Sequence, residues 1–409
     1  MKEYFYSRKL PLICLLSLSA ITLTACSTNQ VADKLKDLQF EFVQEKKERE
    51  AELSALREEV AGNFYFQELD TDRERRVYLQ FVNGLRKRES RIEIDSVNQE
   101  TYTRVYFSVA NDFPEYYWLT DAMVDGIGFS DLSNPIYPDD VEQVSWQLEN
   151  LARAIIEQAP KGSDYEMVKF FYETIIKQTD YDVEALSNDS LSWKEQGITS
   201  VLLEKKSVCA GYSRTFQYLC KLAGIHCIYV SGMANSEQGG QIGHAWNLVQ
   251  IGGQYYGIDT TWGDPVFEEA MGGKGQAEIS YDYLCVTDEA LNRTRKADSD
   301  LLGYWGQEFP FQSRPLVYPS ATDNSLNYYV QLGAYFTTFD ETAVLDSVRS
   351  QKEQGADRIF LQFSNQQALQ EMVNLAGSDN NNLFYSLGDV YTYQYFYNDQ
   401  TCTFEVTGW

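Results

Sequence analysis

The sequence predicts an α+β protein with a central mixed core and a small α/β domain at each end. Three observations point there. Thr71-Asp72-Arg73-Glu74 and Ser163-Asp164-Tyr165-Glu166 are capping boxes, each opening a helix with an apolar face. Two β-prone runs flank Gly252-Gly253 and read as a hairpin. Beyond about residue 316, short strands and helices form a pattern of their own. The 409 residues exceed what one hydrophobic core usually serves. The expected segments are 1–25, 26–61, 62–135, 140–312 and 316–409.

Residues 1–25 read as an export leader. Lys2, Arg8 and Lys9 form a basic start, and the apolar stretch from Leu10 to Leu23 is too short and too polar to anchor as a transmembrane helix. Leu23-Thr24-Ala25-Cys26 is similar to the bacterial lipobox, which implies cleavage before Cys26 and lipid attachment there; an ordinary cleaved signal is the alternative. A lipid on Cys26 would hold the protein to the extracytoplasmic face of the cell membrane without spanning it. No later stretch is apolar enough to span. Losing Lys2, Arg8, Lys9 and Glu3 takes the net charge from −26 to −28. So acidic a chain repels nucleic acid and anionic head groups.

Residues 31–60 carry apolar positions at Leu35, Leu38 and Phe42, then Leu53, Leu56 and Val60, around the charge run 45–50. That spacing predicts a helix, or a tether helical only in part. Within 62–135, Val77, Phe81 and Leu85 give the helix after Thr71 its buried face, Arg91–Ile94 alternates like a strand, and Thr101–Ala110 is helix-like. The aromatic run 111–118 (Asn-Asp-Phe-Pro-Glu-Tyr-Tyr-Trp) follows. It resembles a segment upstream of transglutaminase-like domains in bacterial surface proteins, and its rings are read as packing, not as a ligand cage.

From about residue 140 two helices lead into the core, the second burying Met167, Phe170, Phe171 and Ile175. Gly272-Gly273-Lys274-Gly275 lacks the full phosphate-loop pattern and is read as a turn. In the C-terminal segment we expect a strand at 326–333, a helix at 341–354, a strand at 357–363, a helix at 365–376 and a hairpin around Asn398-Asp399. Tyr391, Tyr393, Tyr395 and Tyr397 alternate along one strand, which suits a packed or solvent-facing sheet surface better than a sugar site.

With Cys14 and Cys26 set aside, Cys209, Cys220, Cys227, Cys285 and Cys402 remain; five is odd, so at least one thiol stays unpaired within the chain. The only histidines are His226 and His244, and no metal-ligand spacing occurs, so no metal or other cofactor is expected.

The chemistry lies in three short segments: Ser207-Val208-Cys209-Ala210-Gly211-Tyr212-Ser213, Gly243-His244-Ala245-Trp246-Asn247 and Gly257-Ile258-Asp259-Thr260-Thr261-Trp262. A helix begins at Cys209, with Phe216, Leu219 and Leu222 on its apolar side, and Gly224 ends it. A thiol at a helix N-terminus faces the positive end of the dipole, which favours thiolate. If Gly252 and Gly253 are the two turn residues, Ile251 pairs with Gln254, and continuing the register sets Trp246 opposite Asp259 and His244 opposite Thr261. His244 and Asp259 then share a face, one diagonal apart, as a thiol base and its orienter.

Cys-Ala-Gly-Tyr, His-Ala-Trp and Asp-Thr-Thr-Trp, in that order, resemble the transglutaminase-like superfamily, closely over about 65 residues and loosely over about 150. The resemblance implies a papain-like transglutaminase core with Cys209 as nucleophile, His244 as base and Asp259 as orienter. It implies a thioester whose acyl group passes to an amine or to water, and a protein or peptide acyl donor, with cell-wall peptide among the candidates. The Cys209 backbone amide is the expected oxyanion donor, with Tyr181 or Trp193 as the second. Trp246 and Trp262 are expected as walls of the cleft, and His226 as structural. Two other readings stand beside the enzyme: a non-catalytic binding or scaffolding module on the same fold, and a wall-lytic peptidase of Cys-His-His order, against which Asp259-Thr260-Thr261-Trp262 argues.

Overall fold

A computed structural model describes residues 28–119, 130–133, 135–185, 195–236, 239–264, 279–302, 311–378, 382–388, 390 and 392–409. The leader with Cys26, Trp193, the 272–275 glycine loop and Tyr391 lie outside the described residues. The chain divides into two compact units, Met1–Glu59 and Val60–Trp409. The described part of the first is one helix, Thr28–Glu59, on which Leu38, Phe40 and Phe42 are exposed. No helix among the described residues is long and apolar enough to cross a membrane.

Both helices and sheets build the second unit, as an α+β protein requires. Among the described residues its largest sheet has five antiparallel strands in the order Leu284–Val286, Gln254–Ile258, Gln241–Ile251, Cys227–Asn235 and Arg295–Ala297. The hairpin turns on Gly252 (φ +60°) and Gly253 (φ +85°), the left-handed pair that matches strand twist in a two-residue turn. Pairing runs from Ile251↔Gln254 to Asn247↔Ile258 in the expected register and stops there, so Asp259 lies one residue beyond the paired strand.

Three helices back this sheet: Val141–Gln158, Asp164–Gln178 and Cys209–Ala223. Their buried faces form one apolar core with the sheet, which includes Leu148, Phe171, Ile175, Phe216, Leu219 and Trp246. The Ser163 capping box is formed, with Glu166 closing it.

The N-terminal segment is tied to this core by polar contacts. Its helix Asp72–Arg86 starts at the Thr71–Glu74 box. The helix Gln99–Asp112 ends in Asn111-Asp112, where buried Asp112 accepts from the Tyr65 and Phe66 amides and the Tyr78 hydroxyl. Gln217, on the Cys209 helix, donates to the Asn111 carbonyl at 2.8 Å, and Tyr65 donates to the Tyr229 carbonyl at 2.7 Å.

The C-terminal segment has its own core, from Ala334 through Val344, Leu361 and Met372 to Val406. Its sheet joins Tyr335–Phe336, Ile359–Phe363, Thr403–Thr407 and Gln394–Asn398 in that order. Before it, Leu316, Tyr318, Ala321 and Tyr328 pack into or against the central core, so a separate core starts later than residue 316. The strand expected at 326–333 is instead a short helix, Tyr328–Gln331. Tyr-Tyr-Val favours a strand by propensity, but the Asn327 side chain accepts from both the Tyr329 and Val330 amides and caps the turn. Of the tyrosine run, Tyr395 stacks on Phe404 with ring centroids 5.3 Å apart, and Tyr393 donates to the Ala376 carbonyl; both rings serve packing.

Candidate active site

Cys209 is the first residue of its helix, following Val208 in extended conformation with no side-chain cap. The first turn therefore opens on backbone N–H groups rather than on a capping oxygen. Close approach seats this turn. A Cβ on Gly211 would stand 2.1 Å from Ser207 Oγ and 2.6 Å from the Glu195 carbonyl, so only glycine fits there without movement. Asn247 Nδ2 donates to the Ser213 carbonyl at 3.0 Å and the Ile228 carbonyl at 3.3 Å, binding helix to sheet. Cys209 and Cys227 are half-buried, Cys220, Cys285 and Cys402 are buried, and all five thiols are free. The Tyr181 hydroxyl meets the Cys209 backbone amide, and burial together with the neighbouring Cys209 pushes its phenol upward. Trp193, the other donor considered from the sequence, is outside the described residues.

His244 points from the strand Gln241–Ile251 opposite Gly232. Its side chain is 1% exposed, and its Nε2 lies 2.8 Å from Asp259 Oδ2. A side-chain hydrogen bond also links it to Cys209; with Nε2 engaged, Nδ1 is the ring nitrogen left to face the sulfur. Burial alone would depress the imidazole, but the Asp259 charge, its hydrogen bond and Cys209 outweigh that and lift it to about 9. Trp262 meets the imidazole edge-on at 4.9 Å and Trp246 stacks at 6.1 Å. Both indoles are buried, so they fix the ring rather than wall an open cleft.

Asp259 is completely buried. Its Oδ1 accepts from the Trp262 amide at 3.1 Å. Burial would raise its carboxyl, yet His244 and Arg295 together hold it well below the usual carboxylate range. Cys209, His244 and Asp259, far apart in sequence, are thus brought together in one chain of contacts.

Arg295 was not expected. It opens the edge strand Arg295–Ala297 and is completely buried. Nε and Nη2 both donate to Asp259 Oδ2, at 2.9 and 2.6 Å, and Nη1 donates to Thr294 Oγ1 at 2.6 Å. Its guanidinium lies 3.4 Å from the Tyr283 ring centroid and 4.5 Å from that of Trp262. Planar donors, permanent charge and aromatic stacking suit arginine, not lysine, to this place. Two cations therefore share one carboxylate oxygen, which keeps Asp259 ionised and its orientation fixed. The sequence signal is one arginine within the basic run Arg293-Thr294-Arg295-Lys296, 36 residues past Asp259.

Among the described residues no group of three or more His, Cys, Asp or Glu side chains is arranged to hold a metal ion. His226 is exposed and takes no part in the cluster.

Residues 149–260 match the family model described as the Transglutaminase-like superfamily, so the segment holding Cys209, His244 and Asp259 is a transglutaminase-like domain. Kyphoscoliosis peptidase of Mus musculus is 32% identical over 124 residues, which cover 28% of this chain and 18% of that protein. Kyphoscoliosis peptidase of Homo sapiens is 30% identical over 124 residues, with the same shares. The chain thus matches less than a fifth of the length of these curated relatives. A solved structure described as a TGase overlaps 31% of this chain and 33% of its own, at 21% identity and a TM-score of 0.27.

Proposed function

We propose, from the transglutaminase-like domain it carries, that the protein is an exported, lipid-anchored enzyme acting on amide bonds through Cys209, His244 and Asp259. The observation that carries the reading is the continuous contact from Cys209 through His244 to Asp259, with Cys209 at an uncapped helix N-terminus. The imidazole hydrogen-bonded to the sulfur is placed to exchange a proton with the nucleophile and with the leaving group.

In the proposed reaction Cys209 Sγ attacks the amide carbon and a C–S bond forms. The carbonyl oxygen becomes an oxyanion stabilised by backbone N–H groups of the helix start, with the Tyr181 hydroxyl sharing that role. As the intermediate collapses, the C–N bond breaks and His244 Nδ1 delivers its proton to the leaving amine. The nitrogen of an amine or the oxygen of water then attacks the thioester carbon, and a C–N or C–O bond forms. His244 takes the proton from that acceptor, the C–S bond breaks, and Cys209 leaves as thiolate. Asp259 holds the imidazole through Nε2 and stabilises its cation throughout.

The acyl donor in this reading is a protein or peptide, with cell-wall peptide a candidate given the proposed extracytoplasmic location. Lipid on Cys26 rests on the leader-like start and the Leu23–Cys26 motif. The test is labelling with an electrophilic glutamine-mimic probe and mapping of the modified cysteine. Labelling confined to Cys209, lost in Cys209→Ala and strongly slowed in His244→Ala, is expected. Uniform slow labelling of Cys209, Cys220 and Cys285, unaffected by replacing His244, would refute the enzyme and leave a scaffold.

A further inference from the structure

Asp282 and Tyr283 stand side by side just before the edge strand Leu284–Val286, and they engage two different parts of the molecule. Tyr283 engages the candidate site. Its carbonyl accepts from the Asp259 amide at 3.1 Å, and its ring lies against the Arg295 guanidinium. Its hydroxyl meets Thr294 Oγ1 at 2.9 Å, the atom to which Arg295 Nη1 also donates. Half-buried Asp282 engages the C-terminal segment. Its Oδ2 accepts from Thr401 Oγ1 at 2.5 Å and from Thr403 Oγ1 at 2.9 Å, and its Oδ1 accepts from the Tyr329 hydroxyl. All three donor residues are buried.

The C-terminal segment has an apolar core of its own and also meets the central one through rings, as in the Tyr281–Tyr328 stack with centroids 3.9 Å apart. Ring contact would suffice to dock it. Apolar burial is non-directional, whereas charge-assisted hydrogen bonds fix geometry as well as energy. With both oxygens of Asp282 held, the course of the next residue is held too, and that residue carries the carbonyl which receives Asp259. Arg295 belongs to the same network. Loss of water around the Asp282 carboxyl raises it, and the Arg295 charge is among the groups that oppose the rise. One guanidinium thus lies in the field of two carboxylates.

We propose that Asp282 is a positioning residue of the candidate site: gripped by Thr401, Thr403 and Tyr329, it fixes Tyr283, which sets Asp259 through its carbonyl and Arg295 through its ring. The C-terminal segment thereby sets the His244 imidazole through Asp282, Tyr283 and Asp259 in turn. The inference rests on the proposed thiol reaction for the word site alone; the coupling from Thr403 to His244 can be measured without turnover.

The test is an NMR titration of the histidine rings in the full chain, with exposed His226 as the internal reference for His244. Thr401→Val combined with Thr403→Val keeps the side-chain shapes and removes two donors. The His244 midpoint should move by about half a pH unit or more while His226 stays. Thr401→Ser with Thr403→Ser keeps both hydroxyls and should titrate as the parent does. Asp282→Asn should lower the midpoint, because Arg295 then turns its whole charge on Asp259 and leaves less of that carboxylate to His244. Val348→Ala loosens the C-terminal core away from these contacts and should leave His244 in place, which separates positioning from loss of stability. If the valine pair does not fold, Thr403→Val alone takes its place. An unmoved His244 midpoint on loss of the hydroxyls, or an equal move in Val348→Ala, overturns the proposal. Iodoacetamide labelling of Cys209 is read on the same proteins. Slow labelling in the parent would sink the thiol reaction and leave the coupling standing; prompt labelling with His244 unmoved in the valine pair would sink the coupling alone.

Discussion

Replacing Arg295 by methionine removes a cation but keeps a side chain of comparable length. In the parent, Arg295 makes two charge-assisted hydrogen bonds to Asp259 Oδ2 and one to Thr294 Oγ1, all in complete burial. Hydrogen bonds to charged groups contribute ~1.5–3 kcal/mol each, so the two to Asp259 alone amount to ~3–6 kcal/mol. Methionine recovers part of this by packing on Tyr283 and Trp262. The net loss should match that of a buried pair deprived of one partner, ~3–5 kcal/mol. Urea unfolding of parent and Arg295→Met, with slopes compared so that only the midpoint is read as stability, measures it. Arg295→Lys restores charge without the planar fork and should fall between the two. Alkylation of Cys209 across pH provides the second readout, because a carboxylate no longer shared with Arg295 changes its hold on His244. Stability within ~0.5 kcal/mol of the parent, the range of an inconsequential surface change, together with an unchanged alkylation profile, would refute the assignment of Arg295 as the anchor of Asp259.

Three further outcomes are expected. His244, lifted to about 9, contributes stability that is complete below its unfolded value of ~6.5 and is lost as pH rises through the folded one. His244→Gln should therefore flatten the fall in urea midpoint between slightly acid and strongly alkaline solution, and an equal fall in both proteins would contradict this. Gly211→Ala should cost about 1–3 kcal/mol and slow labelling of Cys209, since the Glu195 carbonyl cannot yield as a flexible side chain could; thermal melting and probe labelling read both. Cys26→Ala should leave the membrane fraction for the soluble one, and unchanged fractionation would defeat the proposed lipid anchor.

The hairpin was legible because its information is local. Gly252-Gly253 fixes the turn, and counting outward from it pairs Ile251 with Gln254 and sets His244 within reach of Asp259. The capping boxes at Thr71 and Ser163 were legible for the same reason. Arg295 was not, because its strand is three residues long and reaches the sheet only through Cys227–Asn235. The helix Tyr328–Gln331 is hidden in the sequence because the strand propensity of Tyr-Tyr-Val is local and strong, while the Asn327 cap that overrides it is a single side chain. The two tryptophans are not cleft walls: Arg295 and Tyr283 pack on Trp262, and Trp246 lies in the central core. Sequence spacing does not report that stacking.

The two-glycine turn acts as a ruler. Every residue from Gln254 to Ile258 is measured against the opposite strand from that point, and the carboxylate comes at the first residue after the measurement ends. A longer turn that kept the Ile251–Gln254 pair would leave every face as it is, whereas a slip of the strands by one residue to keep a two-residue turn would send Asp259 to the other side of the sheet. Only insertions that move the pairing would cost His244 its orienting partner, even though the tip itself touches neither residue.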